Sequence, residues 1–155
     1  YHLLGLCQQA THTGFHVAVN PMFHQETGQG MVKVYRRHNQ RSSIDFIDHV
    51  VARFPFRIHT VRTDRGHEWQ AQFHWHVEDK GIRHVYIKPR SPQLNGKVER
   101  SHRSDQEEFY QLLTYTDDVD LNKKLAQWEE FYNFSRPHGA HGGNTPYEAL
   151  RTMLE

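Results

Sequence analysis

The sequence predicts a layered α/β domain in which at least part of the sheet is parallel. Three observations predict it. Short runs rich in β-branched residues alternate with longer segments whose apolar residues recur at helical spacing. From residue 31 the order reads strand, helix, strand, helix, strand, helix, helix, the pattern of crossover connections. The chain has 155 residues, 36% apolar and 24% charged, which suits one domain with a real core and is not the profile of disorder.

Residues 1–30 differ in texture from the rest. They contain no Lys, Arg or Asp, and Glu26 is their only acid. They carry His2, His12, His16 and His24, with short β-like pieces at "YHLLGL" and "FHVAVN" but no strong period. "MVKVYRR" (31–37) then reads as a strand. "RSSIDFIDHVVARFP" reads as a helix, with Ser42 as N-cap in a capping-box pattern with Asp45, an apolar face of Ile44, Ile47, Val51 and Phe54, and Pro55 as the stop. "RIHTVRT" (57–63) is a β-branched strand. After Gly66, "EWQAQFHWHVEDKG" places Trp69, Phe73 and Val77 at i, i+4, i+8 of a helix, with Gly81 as the residue just beyond its end.

"IRHVYIK" (82–88) is the next strand, and the Pro/Asn/Gly-rich 89–96 is a loop. A helix is expected from about Lys97 to Leu113. The last long helix starts near Asp120, with Leu121, Leu125, Trp128 and Tyr132 as its apolar stripe. "SRPHGAHGG" breaks it, and a short helix begins at Thr145-Pro146.

The formal net charge is only +1, so a nucleic-acid role needs a local basic patch. Residues 88–103, "KPRSPQLNGKVERSHR", supply one. Lys88, Arg90, Lys97, Arg100 and Arg103 surround a single acid, Glu99. Such residues grip phosphates, and a carboxylate among them suits Mg²⁺. The bland alternative is a Glu99–Arg103 surface pair one helical turn apart. Asp64 ends a strand just before Gly66, where open α/β sheets place ligands, although the same residue could equally satisfy the turn. The 14 histidines are mostly scattered. His74 and His76 in "FHWH" lie two apart, so on a helix they point to different faces and make a poor metal pair. With one cysteine, Cys7, no internal disulfide is possible. No apolar run suits a membrane span, and no secretion signal is visible, so a cytoplasmic protein is expected.

"TDRGHEW", "GIRHVYIKPRSPQLNGKVERSHR", "FYNFSRPH" and "NTPYEAL", in this order and spacing, resemble the catalytic core of bacterial insertion-sequence transposases, members of the DDE superfamily of retroviral-type integrases. The resemblance implies an RNase H-like fold with a mixed central sheet flanked by helices. It divides the chain into an atypical segment 1–30, a core 31–135 and a tail 136–155. Asp64 resembles the second catalytic aspartate, and Glu99, 35 positions later, the catalytic glutamate. Both would hold Mg²⁺ or Mn²⁺. Arg100 and Arg103 fall where the family's helix faces the DNA backbone. The implied chemistry is attack on a phosphodiester by water and then by a DNA 3′-hydroxyl. The implied partners are transposon ends, target DNA and further copies of the chain.

Three departures qualify the likeness. The family's first aspartate, on its first strand, has no counterpart: no aspartate precedes Asp45, and Asp45 and Asp48 lie on a helix, too close to Asp64. Residues 1–30 stand where that strand and its hairpin belong, so an altered or incomplete start is expected. Arg65 replaces the family's usual Asn, putting a cation beside the metal-binding aspartate, and His141 stands where an apolar residue is common. The expected protein is therefore a degenerate integrase core. Its alternative is a non-catalytic remnant that binds DNA or oligomerises.

Overall fold

A computed structural model describes residues 2–5, 8–12, 15–24, 28–37, 39–88 and 118–155, with side chains from residue 28 onward apart from 34, 118, 119 and 140. Its elements are β1 (His2–Gly5), β2 (Gln8–His12), β3 (Phe15–His24), β4 (Gly30–Tyr35), α1 (Gln40–Arg53), β5 (Thr60–Thr63), α2 (Ala71–Asp79), β6 (Arg83–Tyr86), α3 (Asp118–Phe134) and α4 (Pro146–Leu154). The loop and helix expected over 89–113 lie outside the described residues.

The sheet is mixed. β1, β5 and β6 run parallel, with Gly5 opposite Thr63 and Thr63 opposite Tyr86. β3 lies antiparallel to β1 and β2 along one edge and to β4 along the other. The backbone thus supplies a first strand and a hairpin from the unusual residues 1–30. What is altered there is the composition.

α1 begins one turn earlier than the sequence suggests. Asn39, not Ser42, is the N-cap: its side chain accepts from the Ser42 N–H at 3.0 Å, while Ser42 Oγ accepts from the Asn39 N–H at 3.1 Å. Ser42 is the third residue of the box rather than its first, because Asn39 is also a good cap and lies in extended backbone. The inner face is accordingly centred on Phe46, Ile47 and Val50, with Ile44 and Val51 only partly buried against it. Trp69, Phe73 and Val77 are fully buried, as their spacing requires, and join Met31, Phe54, Ile58, Val61 and Ile82 in one core. Trp69 sits on a short 3-10 turn, His67–Trp69, that precedes α2. Gly81 takes φ +74°, the left-handed conformation that ends α2.

α3 buries Leu121, Leu125, Trp128 and Tyr132, the expected stripe. It also covers the outer edge of β4. Asn133 Oδ1 accepts from the Gly30 N–H at 2.8 Å, and its Nδ2 donates to the Gly30 carbonyl at 2.8 Å. One turn earlier, Glu129 Oε2 accepts from the Val32 N–H at 3.0 Å. Gly30 and Val32 alternate along the strand, so helix side chains take the place of a neighbouring strand on that edge. Burial pushes the Glu129 carboxyl up, against the Val32 hydrogen bond and Arg53, which draw it down. α4 starts at a capping box between Thr145 and Glu148, with Pro146 in its first turn.

The two helical aspartates have structural work. Asp45 Oδ2 receives Lys33 Nζ at 2.6 Å and the Tyr35 hydroxyl at 2.6 Å, tying α1 to β4. Asp48 receives His76 Nε2 at 2.7 Å and Lys80 Nζ at 3.0 Å, tying α1 to α2.

Candidate functional site

The site gathers where the parallel strands end. Asp64 follows β5 directly and is half-buried. Its Oδ1 accepts from the Gly66 N–H at 2.9 Å, so the turn-satisfying role and a ligand role share this one carboxylate. The hydrogen bond fixes one of the two carboxylate oxygens. Arg65 is exposed, and its carbonyl accepts from Gln70 Nε2 at 2.8 Å.

Glu68 folds under this turn and is only 4% exposed. Its carboxylate lies 3.3 Å from His67 Nδ1. A Cβ on Gly66 would stand 2.3 Å from Glu68 Oε1. Gly66 has φ −54°, so the glycine is required here by crowding and not by backbone conformation. Gly66→Ala is expected to cost about 1–3 kcal/mol, the usual range for overpacking, because the buried Glu68 has to move. Urea denaturation measures it, and an unchanged midpoint would show that Glu68 yields freely.

Behind Asp64 lies a layer of rings. His84, on β6, places Nε2 2.8 Å from Thr63 Oγ1, and Thr63 Oγ1 lies 2.9 Å from the Asp64 carbonyl oxygen. His84 Nδ1 is 3.0 Å from His74 Nδ1 on α2. The His84 ring meets Phe73 edge-on at 5.2 Å and Tyr86 at 4.5 Å. The Tyr86 hydroxyl donates to the Trp69 carbonyl at 3.0 Å. Burial, then the neighbouring His74, pushes the His84 imidazole down to about 4. His84 is therefore a neutral, hydrogen-bonded histidine at neutral pH. Sequence reading passed over it, although Ile82, His84 and Tyr86 share one face of the strand and a histidine amid buried alternation was the available signal. His74 and His76 diverge as their spacing predicts, His74 toward His84 and His76 toward Asp48.

Lys88 is exposed two residues beyond β6. The Ile87 N–H donates to the Thr63 carbonyl at 2.8 Å, so Lys88 leaves the sheet at the same end as Asp64. Arg90, Lys97, Glu99, Arg100 and Arg103 lie outside the described residues. Among the described residues no group of three His, Cys, Asp or Glu side chains is placed to hold a metal ion. The described carboxylates at this turn are Asp64 and the buried Glu68, two groups where a catalytic metal pair takes more. No described helix is long and apolar enough to cross a membrane.

The tail motif "YNFSRPH" has a packing role. Tyr132 is buried against Trp128 and meets His138 edge-on at 4.8 Å, and Asn133 holds β4. Asn133 is the residue that sequence reading missed in this motif.

Comparison with known proteins places this architecture. Residues 80–146 match a family model described as integrase core domain. The chain is 28% identical over 146 residues to "Putative integrase ORF3" of Spiroplasma virus SpV1-C74, a match covering 83% of this chain and 40% of that protein. It is 31% identical over 88 residues to "Insertion element IS476 uncharacterized 39.2 kDa protein" of Xanthomonas euvesicatoria, covering 56% of this chain and 25% of that protein. The chain thus spans well under half the length of these relatives. Among solved structures it resembles the HTLV-2 integrase catalytic core domain in complex with magnesium, with a TM-score of 0.78 at 13% identity over 96% of this chain and 95% of that one. The catalytic core domain of BIV integrase gives a TM-score of 0.75 at 20% identity, over 97% and 95% of the two chains. A chain of the simian T-cell lymphotropic virus intasome gives 0.83 at 17% identity, over 96% and 53%.

Proposed function

Because residues 80–146 match the integrase core domain model and the chain carries the fold of retroviral integrase catalytic cores, we propose that it is a transposase-type core that engages DNA but has lost part of its catalytic triad. The observation that carries this reading is the strand register beside Asp64. β1 pairs in parallel with β5 up to Gly5 opposite Thr63, one residue before Asp64. None of its residues His2–Gly5 is acidic, nor is Leu6 or Cys7 that follow in the sequence. The first aspartate implied by the family has no equivalent in the neighbouring strand.

The remaining candidate ligands are Asp64 and Glu99. Two carboxylates with water suffice for a single weakly held Mg²⁺ or Mn²⁺, which would neutralise phosphate charge. They are too few for the two-ion arrangement that steadies both attacking and leaving oxygens. DNA is held by Lys88, Arg90, Lys97, Arg100 and Arg103 through phosphates, in a sequence-independent and salt-sensitive manner. The HTLV-2 core is known in dimeric and trimeric forms. Self-association of this chain is part of the same proposal, and sedimentation analysis tests it.

The test is a pair of assays on the same preparation. Binding to duplex DNA is expected at low salt and should weaken by an order of magnitude or more as salt rises from about 50 to 200 mM. Nicking in Mn²⁺ is expected to be no greater than that of Glu99→Gln. Nicking that Glu99→Gln or Asp64→Asn abolishes would mean the site is intact, and absent DNA binding would sink the reading altogether.

Arg65 sharpens the proposal. An exposed cation on the residue next to Asp64 opposes a divalent ion there, an effect of roughly 1 kcal/mol at a water-like dielectric. Arg65→Asn is therefore expected to tighten Mn²⁺ binding about fivefold. Equal affinities by calorimetric titration would show that Arg65 points its charge elsewhere.

A further inference from the structure

Asp64 leaves β5 at a main-chain corner, and a chain of three side chains bears on that corner from within the fold. Thr63 Oγ1 is 2.9 Å from the Asp64 carbonyl oxygen and 2.8 Å from His84 Nε2. His84 Nδ1 is 3.0 Å from His74 Nδ1. A carbonyl oxygen only accepts, and a hydroxyl has a single hydrogen to give. The Thr63 hydrogen therefore goes to Asp64, and Thr63 must accept from His84. That fixes the His84 proton on Nε2. A neutral His84 then has a bare Nδ1, which accepts from a proton on His74 Nδ1. Each hydrogen in the chain has one consistent position, running from α2 through β6 to the end of β5.

We propose that His84 is a positioning residue for Asp64: it locks the Thr63 hydroxyl against the Asp64 main chain and so sets the direction in which that carboxylate leaves the sheet. The inference rests on the reading of Asp64 as the working carboxylate. Its force comes from how little the imidazole can move. His84 is 6% exposed, with the Phe73 ring edge-on at 5.2 Å and the Tyr86 ring tilted against it at 4.5 Å. Tyr86 is itself anchored on the Trp69 carbonyl. The carboxylate is steadied separately by the Gly66 N–H on Oδ1. Asp64 is thus gripped at two points, its carbonyl through Thr63 and its carboxylate through Gly66. A turn held at both is preorganised rather than adjusted on binding. Outer hydrogen bonds of this kind orient the groups that do chemistry without touching a ligand themselves.

The deciding measurement is the tautomer of each ring in the full chain, read by two-bond proton–nitrogen correlation with labelled histidine near pH 7. His84 is expected neutral with its proton on Nε2, and His74 with its proton on Nδ1. A proton on His84 Nδ1 overturns the proposal. A second reading follows the Asp64 carbonyl carbon and the Gly66 amide proton. Both resonances are expected to shift in Thr63→Val and in His84→Phe. Both should return close to their original positions in Thr63→Ser and in His84→Gln, because a glutamine amide can donate to Thr63 and accept from His74. A folded His84→Phe chain with unmoved Asp64 and Gly66 signals overturns the proposal too. If His84→Phe does not fold, the tautomer of the unaltered chain decides. Neither reading uses metal or DNA, so a chain that binds no Mn²⁺ refutes the assignment of Asp64 as a ligand while these spectra test the positioning itself.

Discussion

Asn133→Ala is expected to lower stability by about 2–4 kcal/mol, far more than loss of one exposed polar group would. Its side-chain amide occupies both the N–H and the C=O of Gly30, and Asn133 is 4% exposed. Truncation leaves two buried main-chain groups without partners, each at a cost of roughly 1–3 kcal/mol. Water can enter the gap and recover part of this. Asn133→Asp is a sharper probe. A carboxylate still accepts from the Gly30 N–H but opposes the Gly30 carbonyl, so this variant should regain stability as pH falls and the carboxyl becomes protonated. Urea denaturation at several pH values measures both variants. A loss under about 0.5 kcal/mol for Asn133→Ala would mean that α3 does not hold the β4 edge.

The second large effect is acid sensitivity from His84. Its folded-state value is pushed down to about 4, against 6.5 for an ordinary histidine, by burial and then by His74. The unfolded chain therefore binds a proton that the folded chain refuses throughout this window. Stability is fully present above about pH 6.5 and falls as pH drops toward 4, by a total on the order of 3 kcal/mol. Glu129 works in the opposite sense, because burial raises its carboxyl and the folded form takes up its proton first. Asp45, drawn down chiefly by its Lys33 hydrogen bond, adds a further loss only below the usual carboxylate range. His84→Gln should flatten the slope between pH 6.5 and 4.5. A slope that survives this substitution would place the acid sensitivity on another group.

Much of this fold can be read along the chain because it is local. The apolar residues Trp69, Phe73 and Val77 declare one face by their spacing, and Leu121, Leu125, Trp128 and Tyr132 declare another. Gly81 marks an ending because only a left-handed residue closes that turn comfortably. The N-cap of α1 lies one turn before the expected Ser42 because Asn39 and Ser42 are both good caps, and only the observed hydrogen bonds choose between them. Residues 1–30 gave a weak strand signal because a strand takes its stability from partners across the sheet, here β3 and β5, which a linear pattern does not carry.

The sequence by itself determined the family resemblance, the alternation of strands and helices, the 35-position separation of Asp64 and Glu99, and the lack of an aspartate in residues 1–30. These are matters of order and identity, and order is what a chain records. Tertiary structure decided which strand lies beside Asp64, and it decided the work of Asn133, Asp45, Asp48 and His84. Asn133 meets Gly30 across 103 positions and His84 meets Thr63 across 21. A polar side chain acquires its role from the partner that folding brings within 3 Å, and nothing in its neighbours along the chain specifies that partner.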